Sequence, residues 1–451
     1  MNFLKLDNNA RFSNKTIMFF LLPILFEQLM VAGLSIADTF MVAGLGETAV
    51  AGVSLVARID NFVKQFIVAL AQGGSVVLSQ YIGARNDEKS RLSLKNNIRI
   101  VLLIGMSIMF LVIGLRAQIL KLFFGNAEPE VLNLSLEYFG ITAFLYPFIA
   151  LYYSCSASFR AMGNSKLPSV SAIAMMVINL ILKYTFIFKL NMGVRGAALS
   201  TLISMAVVGF SLFFMLYQSD NKVVLSGFFK QDLKRENAKR ILKVSVPNGI
   251  EQGMFQLGAL FIGSIISSLG TAAIAADSVS DSLSILVHSM GASFTVVMMI
   301  VVSQCIGADS PREAKMYTKH ILKLDYLLTA ANAAIFLLFS KLLINLFSVS
   351  PEAKECAFNI LFLYALGSAA IYPTGFALAG GLRGAGDTKF VMYVSMISMF
   401  TFRIGAAYLF AIVLEMGIMG AWVAMICDWA IRSVIFIIRF RSGKWINNKV
   451  I

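Results

Sequence analysis

Ser79-Gln80-Tyr81-Ile82-Gly83-Ala84 occurs a second time, changed at one position, as Ser303-Gln304-Cys305-Ile306-Gly307-Ala308, 224 residues further along the chain. Other matched positions keep this offset or differ from it by one residue: Pro23 and Pro247, Glu27 and Glu251, Arg160 and Arg383. A single repetition over half the chain indicates a duplicated half instead of an array of short repeats. Whatever fold the first half adopts, the second half is expected to adopt it as well.

The composition places both halves in a membrane. Hydrophobic residues make up 58% of the chain, charged residues only 14%, and the mean hydropathy is +0.78, whereas about a quarter of the residues are charged in soluble domains. A helix needs about 20 apolar residues to cross a bilayer. Twelve apolar stretches reach that length, near residues 15–40, 49–78, 93–117, 131–158, 167–188, 194–217, 239–265, 273–303, 318–345, 352–381, 389–412 and 417–440. Their continuous hydrophobicity excludes the alternating pattern of a transmembrane β-barrel.

The predicted fold class is an all-α integral membrane protein with twelve transmembrane helices in two parallel six-helix repeats. Because six is even, both halves enter the membrane in the same orientation, and the repeat axis is expected along the membrane normal. The predicted organisation is an N-terminal lobe over 1–217, a basic cytoplasmic linker over 218–240, and a C-terminal lobe with a short cytoplasmic tail over 241–451.

The basic residues indicate the orientation of the chain. Most Lys and Arg residues fall in the loops on the side of the two termini, so the positive-inside rule predicts that both termini are cytoplasmic. This distribution accounts for the net charge of +14 without a nucleic acid as partner. We expect a multi-pass protein of a bacterial cytoplasmic membrane that works as a monomer, because a two-lobed cavity needs only one chain.

Several classes of protein are excluded by what the sequence lacks. The first span is longer than a signal-peptide core and no small-residue cleavage site closes it, so we expect it to remain. The four cysteines are far apart and mostly within spans, which supports neither a disulfide framework nor a zinc pattern. No Walker A sequence, metalloprotease histidine pair or nucleophile elbow is present. The protein is therefore predicted not to be an enzyme and to need no cofactor, with an ion gradient as the energy source for transport.

Four motifs carry a resemblance to a known family: Ile36-Ala37-Asp38-Thr39-Phe40-Met41, the repeated Gln-x-Ile-Gly-Ala, Phe159-Arg160-Ala161-Met162-Gly163-Asn164, and Gly193-Val194-Arg195-Gly196-Ala197-Ala198. In order and spacing they resemble the multidrug and toxic compound extrusion (MATE) family, within the multidrug/oligosaccharidyl-lipid/polysaccharide exporter superfamily. The resemblance covers nearly the whole chain. It implies two six-helix lobes around a central cavity and alternating access that couples drug export to the entry of sodium ions or protons.

The resemblance also implies a cation site in the N-terminal lobe. One branch of the family combines an aspartate of span 1, an Asn-x-x-x-Asp pair on span 5 and a threonine on span 6. The matching positions here are Asp38, Asn179 and Thr201, but Lys183 stands where the second aspartate is expected. A second branch uses acidic residues of spans 7 and 10, where this chain has Phe255 and Tyr372. The C-terminal site of that branch is therefore absent in its familiar form.

Lys183 leads to the first hypothesis for coupling. A charge in hydrocarbon costs about 2.5–3.5 kcal/mol on insertion scales, so charges kept within spans are functional candidates. The Lys183 ammonium is predicted to pair with Asp38 and to act as a tethered cation in the place of sodium. The alternatives are that Lys183 extends to the membrane interface and that Asp38 is solvated at the outer end of span 1.

Span 8 leads to the second hypothesis. Asp277 and Asp281 are four residues apart and share a helical face, and His288 follows about two turns later. Two carboxylates held close repel each other, which favours proton binding. We expect this cluster, with Glu251 and Arg403 on other helices, to carry the coupling proton or to bind a cationic substrate; the alternative is a static network between Arg403 and the acids.

Other charges within the spans have a structural interpretation. Glu27 lies eleven residues before Asp38, about 16 Å along the same side of span 1, and is predicted either to take part in transport or to share a packing role with Glu251. Arg160 and Arg383 fall at matched turns, which we interpret as loop and topology positions. Asp428 and Arg432 are four residues apart and are predicted to form a helical ion pair.

The sequence therefore predicts an ion-coupled antiporter, driven by protons or sodium, that exports amphipathic, cationic organic compounds. The alternative within the superfamily is a flippase for lipid-linked precursors, although its cavity is expected to be basic and the charges here lean acidic. A third interpretation, from another class, is a membrane sensor or scaffold without transport activity, which the buried charges in both halves disfavour.

Overall fold

The computed structural model describes residues 11–125, 128–218, 223–225, 227–228, 234–347 and 349–451. Within these residues the chain is helical, without β-strands. Residues 1–10 and most of the predicted linker over 218–240 lie outside them, as do the side chains of Ile36, Thr39 and Phe40 in the first motif.

The helices follow the predicted spans. In chain order they are α1 (Asn14–Ala43), α2 (Glu47–Gly83), α3 (Asp87–Phe124), α4 (Pro129–Thr142), α5 (Leu145–Ala161), α6 (Lys166–Tyr184), α7 (Gly193–Gln218), α8 (Arg235–Ser267), α9 (Thr271–Gly307), α10 (Pro311–Asn345), α11 (Pro351–Tyr372), α12 (Leu378–Gly384), α13 (Thr388–Ser398), α14 (Ala406–Tyr408) and α15 (Gly417–Ser442). In the described chain, eleven helical segments are long and apolar enough to span a membrane, and α4 with α5, bent by 46° at a short break, form a twelfth. The prediction of twelve spans is confirmed.

Local sequence signals set where several helices begin. The Asn86 side chain accepts a hydrogen bond from the Lys89 backbone at 3.0 Å and caps the first turn of α3. Pro129, Pro311 and Pro351 stand at the starts of α4, α10 and α11. Proline suits this position because its missing N–H has no partner in the first turn and its φ is already helical.

The duplication extends to the backbone of the turns. Positive φ angles recur at matched positions of the two halves: Gly46 and Gly270 at 97° and 98°, Arg85 and Asp309 at 55° and 54°, Gly163 and Gly386 at 89° and 99°, Asn191 and Glu415 at 51° and 52°. For residues other than glycine this region is uncommon. The two halves therefore share their turn geometry even where the residue differs.

Short π-helical turns interrupt the helices, and they are not distributed equally. Thr185–Lys189 and Leu409–Val413 occupy matched positions at the ends of the fifth and eleventh spans. Two more, Pro373–Ala377 and Met399–Gly405, occur only in the second half of the described chain. Since π turns are frequent at functional sites, this asymmetry distinguishes the C-terminal half.

The contacts divide the chain into two compact units at unexpected places. One unit is Leu22–Gly249, and the other combines Ile250–Ile451 with the described residues up to Leu21. Both boundaries fall inside helices, in α1 beside Pro23 and in α8 beside Pro247. The predicted lobes, 1–217 and 241–451, stay a prediction for the repeat; the contact units differ because each first helix changes unit along its length.

Hydrogen bonds attach the start of α1 to its unit. The Phe12 backbone N–H donates to the Tyr317 hydroxyl at 2.6 Å, and His320 Nε2 lies 2.6 Å from Asn14 Oδ1. Both partners belong to α10. The first turn of α1 therefore belongs structurally to the unit that contains Ile250–Ile451.

The start of α8 is bound in the same way within the other unit. The Ser245 hydroxyl donates to the Leu70 carbonyl at 2.9 Å, and Asn96 Nδ2 donates to Asn237 Oδ1 at 3.1 Å. These bonds join α8 to α2 and α3.

Each unit has its own hydrophobic core. In the N-terminal unit, Tyr146, Phe139 and Phe159 are fully buried. In the C-terminal unit the core is aromatic, and Tyr364 lies edge-to-face with Trp422 and Trp429 at centroid distances of 5.6 and 5.5 Å. Packing against these cores fixes the charged side chains described next.

Candidate functional site

The N-terminal unit contains an ion pair between α1 and α6. Lys183 Nζ lies 2.5 Å from Asp38 Oδ1. The Lys183 side chain is 3% exposed and the Asp38 side chain 31% exposed, so the ammonium is enclosed by protein instead of extending to the interface. A buried cation that loses its partner is costly, and Lys183 therefore depends on Asp38.

Asn179 and Thr201 lie together on neighbouring helices of the same unit. Asn179 Nδ2 donates to Thr201 Oγ1 and to Ser204 Oγ, both at 3.2 Å. The Asn179 carbonyl oxygen is buried and accepts no hydrogen bond. Since Asn179 precedes Lys183 by one turn of α6, the unit combines a carboxylate, an amide oxygen, a hydroxyl and an ammonium, groups suited to binding and exchanging small cations. Ser204 was not predicted, because a serine in a span carries no distinctive signal.

A second carboxylate of the N-terminal unit was missed. Asp60, on α2, accepts a hydrogen bond from the buried Tyr146 hydroxyl at 2.7 Å. Asp60 stands within the apolar run of residues 49–78, so the cost of charge in a span could have identified it. The tyrosine partner, 86 residues away, could not have been found without the packing of α2 against α5.

In the C-terminal unit the acids of α9 do not form a closed network. Trp422 Nε1 donates to Asp277 Oδ1 at 3.1 Å, whereas the Asp281 residue is exposed. His288 lies at a ring-centroid distance of 6.4 Å from Tyr372. An acid held by an indole beside other aromatic rings is an environment that suits an organic cation.

Arg403 does not pair with these acids. Its guanidinium carbon lies 5.1 Å from the ring centroid of Phe255, and no carboxylate oxygen of the described residues is within 4.0 Å of it. Arg403 belongs to the π-helical turn Met399–Gly405. The static network that the sequence left open as an alternative is therefore not formed.

The two glutamates of the repeat each bind an arginine of their own unit. The Arg160 guanidinium donates to Glu27. At the matched position Arg383 donates to both carboxyl oxygens of Glu251, at 2.6 and 3.3 Å. The interpretation of Arg160 and Arg383 as loop positions is wrong, because each lies in the last turn of a helix and its long side chain reaches a buried carboxylate. These contacts match a shared packing role.

Asp428 and Arg432 form the predicted ion pair along α15. Ser398 also donates a hydrogen bond to the same aspartate. The prediction of a helical pair is confirmed. Among the described residues, no group of three or more His, Cys, Asp or Glu side chains is arranged to hold a metal ion.

The chain matches the MatE family model twice, over residues 23–185 and 247–409. It is 26% identical to an uncharacterized transporter, YisQ, of Bacillus subtilis, over 94% of this chain and 93% of the relative. It is also 26% identical to the probable multidrug resistance protein NorM of Thermotoga maritima, over 94% and 91%. Both relatives match along almost their whole length.

Solved structures share the fold. The outward-facing structure of a multidrug resistance MATE family transporter of the MOP superfamily superimposes with a TM-score of 0.89, at 20% identity, over 95% of this chain and 96% of that chain. A MOP superfamily transporter of Pyrococcus furiosus, described as having a binding pocket of reverse polarity, gives a TM-score of 0.88 at 20% identity, over 95% of both chains. The two family matches start 224 residues apart, at the offset of the internal repeat, and together cover more than half of the chain, so the protein belongs to the MatE family.

Proposed function

We propose that the protein is an antiporter that exports amphipathic, cationic organic compounds by alternating access and is driven by protons. The proposal is supported by membership of the MatE family and by relatives named as multidrug resistance proteins. Both termini are proposed to be cytoplasmic, and one chain is proposed to be the working unit in a bacterial cytoplasmic membrane.

The ion pair between Lys183 and Asp38 carries the choice of ion. Lys183 stands where the family resemblance implies a second sodium ligand, and its ammonium lies 2.5 Å from the remaining carboxylate. A fixed cation at that distance neutralises Asp38 and repels a sodium ion. The carboxylate remains open to a proton, because protonation needs no space for a metal ion.

Protonation of Asp38 leaves Lys183 buried without a counter-charge. Removing one partner of a buried pair costs about 3–5 kcal/mol, and the exposure of Asp38 lowers this figure here. The strained state favours a rearrangement in which Lys183 finds another partner or reaches water. A cationic substrate that displaces Lys183 competes with the proton for the same carboxylate, which is the requirement for exchange.

The acids of α9 are proposed to serve the substrate. Asp277 accepts from Trp422, whose ring lies 5.6 Å from that of Tyr364. Aromatic faces attract organic cations, and the exposed Asp281 one turn away adds negative charge. This arrangement favours cationic over anionic substrates.

The test is efflux of ethidium from proteoliposomes that contain the full chain, under an imposed pH gradient or an imposed sodium gradient. We expect the pH gradient alone to drive efflux, and Asp38→Asn to abolish it. Arg195→Ala, which removes an exposed ion pair with Glu137, is the matched control and is expected to keep full activity.

Two results would contradict the proposal. Sodium-driven efflux that survives Asp38→Asn would move coupling to the half that contains Glu251, Asp277 and Asp281. No efflux under either gradient, with protein that is folded and inserted, would favour a flippase.

A further inference from the structure

Asp325, on α10 of the C-terminal unit, is a buried carboxyl group that none of the contacts above explains. Its exposure is 0%. The Thr329 hydroxyl donates to its Oδ1 at 2.8 Å, and Oδ2 has no hydrogen-bond partner. Asp325 lies 14 residues after the start of α10, about 21 Å along the helix, and therefore far from both ends of a 35-residue span.

No cation compensates this carboxyl group. The titratable or charged side chains on α10 itself and on the elements packed against it are Lys323, Tyr326, His288 of α9, Tyr364 and Tyr372 of α11, and Arg383 of α12. Arg383 is bound to Glu251. No Lys, Arg or His nitrogen of the described chain lies within 4.0 Å of either Asp325 oxygen.

The internal repeat indicates that the fold does not need an acid at this position. The matched residue of the N-terminal unit is Val101, which is also fully buried, and the residue matched to Thr329 is Gly105. One unit therefore packs with an apolar side chain where the other holds a carboxyl group and its hydroxyl donor. A polar pair that packing does not require is a candidate for function.

An ionised carboxylate without a partner is not stable in such a place. Transfer of an isolated charge into a low-dielectric interior is so costly that the group takes up a proton instead. A neutral carboxyl group still accepts the Thr329 hydrogen bond and is far less costly to bury. Ionisable side chains within membrane spans commonly belong to ion pathways or proton relays.

We propose that Asp325 is a second proton-binding site, in the C-terminal unit, which holds a proton while it is enclosed and releases it during the transport cycle. The role in transport rests on the proton coupling proposed above, whereas the binding of a proton by Asp325 does not. The ligand is a proton, because a sodium ion needs several oxygen ligands and only one threonine hydroxyl contacts the carboxyl group.

The experiment is infrared difference spectroscopy of the full chain reconstituted in lipid, recorded over a range of pH. We expect a protonated-carboxyl C=O band in the wild-type protein that disappears at alkaline pH and is absent from Asp325→Asn. Thr329→Val keeps the carboxyl group but removes its donor, so the band is expected to move to higher frequency. That shift assigns the band even if Asp325→Asn folds poorly.

A packing control comes from the repeat. Asp325→Val restores the residue of the matched position and is expected to fold with at least wild-type stability, because apolar replacement of buried charges is often neutral or stabilising. Both Asp325 variants are expected to lose pH-gradient-driven efflux of ethidium.

Three results would overturn the inference: no pH-sensitive carboxyl band, a band that sodium removes at constant pH, or unchanged proton-driven efflux in Asp325→Asn. The infrared measurement is independent of transport. If neither gradient drives the wild-type protein, the proposed function fails while the spectrum still decides whether Asp325 binds a proton.

Discussion

Lys183 Nζ lies 2.5 Å from Asp38 Oδ1, but the two partners differ in their access to water. The Lys183 side chain is 3% exposed, and that of Asp38 is 31% exposed. The pair is therefore asymmetric: Asp38 has water as a second partner, whereas Lys183 has only the carboxylate.

The first prediction concerns stability. Asp38→Asn leaves a buried ammonium unpaired and is expected to destabilise the protein by up to about 3–5 kcal/mol, whereas Lys183→Met leaves a carboxylate that water still reaches and is expected to cost less. Thermal unfolding of the purified protein in one detergent compares them. The control is Glu137→Gln in the exposed pair with Arg195, which should change the free energy of unfolding by less than about 1 kcal/mol.

A double-mutant cycle separates the interaction from the single effects. The double variant with Asp38→Asn and Lys183→Met is expected to be more stable than Asp38→Asn alone, with a coupling of about 0.5–3 kcal/mol. Additive effects would contradict a direct interaction between the two side chains.

The second prediction concerns the coupling ion. Lys183→Asp removes the tethered cation and adds a carboxylate beside Asp38 and the free carbonyl oxygen of Asn179. Oxygen ligands of this kind bind hard cations, so we expect the variant to acquire efflux driven by a sodium gradient. Lys183→Met, which removes the ammonium without adding a ligand, is the control and should not acquire it. A folded Lys183→Asp protein without sodium-driven efflux argues against a cation site here.

The third prediction uses the repeat. Glu27→Gln and Glu251→Gln each leave an arginine without its carboxylate, but the Arg160 side chain is 9% exposed and that of Arg383 is 15% exposed. We expect Glu27→Gln to lower thermal stability more, because the more buried cation loses more on becoming unpaired. Glu236→Gln, in an exposed pair with Arg240, should have little effect. The reverse order would show that burial does not set the cost.

The fourth prediction concerns the acids of α9. Asp277→Asn removes a charge held beside Trp422, and a charge-assisted contact contributes about 1.5–3 kcal/mol, so binding of ethidium should weaken by roughly tenfold or more. Equilibrium binding by fluorescence measures this change. Asp281→Asn, at an exposed position, is expected to have a smaller effect. Wild-type affinity in both variants would exclude α9 as the substrate site.

Much of the fold could be predicted from the sequence because its signals are local or periodic. Long apolar runs gave the twelve spans, and the spacing of Asp428 and Arg432 gave their ion pair, since residues four apart meet on a helix. The hypothesis that Lys183 pairs with Asp38 needed the family resemblance as well, because these residues are far apart in sequence and neither helix reveals its neighbour.

The remaining contacts depend on how helices pack. Arg160 follows Glu27 by 133 residues, and no periodicity connects them, so a charge near a helix end was interpreted as a loop residue. Asp325 gave no sequence signal beyond being charged within a span. Only its complete burial, with one oxygen unpaired, separates it from an acid that water or a basic side chain neutralises.

The two additional π-helical turns record how the halves came to differ. Asn191 follows Lys166 by 25 residues, but Glu415 follows Lys389 by 26, with Met399–Gly405 between them; Arg160 follows Pro129 by 31, but Arg383 follows Pro351 by 32, with Pro373–Ala377 between them. Each surplus residue is taken up by a turn that is wider than an α-helical one.

The C-terminal half has thus diverged by lengthening two helices by one residue each, while the turns at their ends kept their geometry. An extra residue rotates every later side chain by about 100°. Positions inherited from one ancestral half therefore meet different neighbours, so that Arg403 stacks on Phe255 where Asn179 donates to Thr201. A single inserted codon could give one lobe a new chemistry without disturbing its architecture.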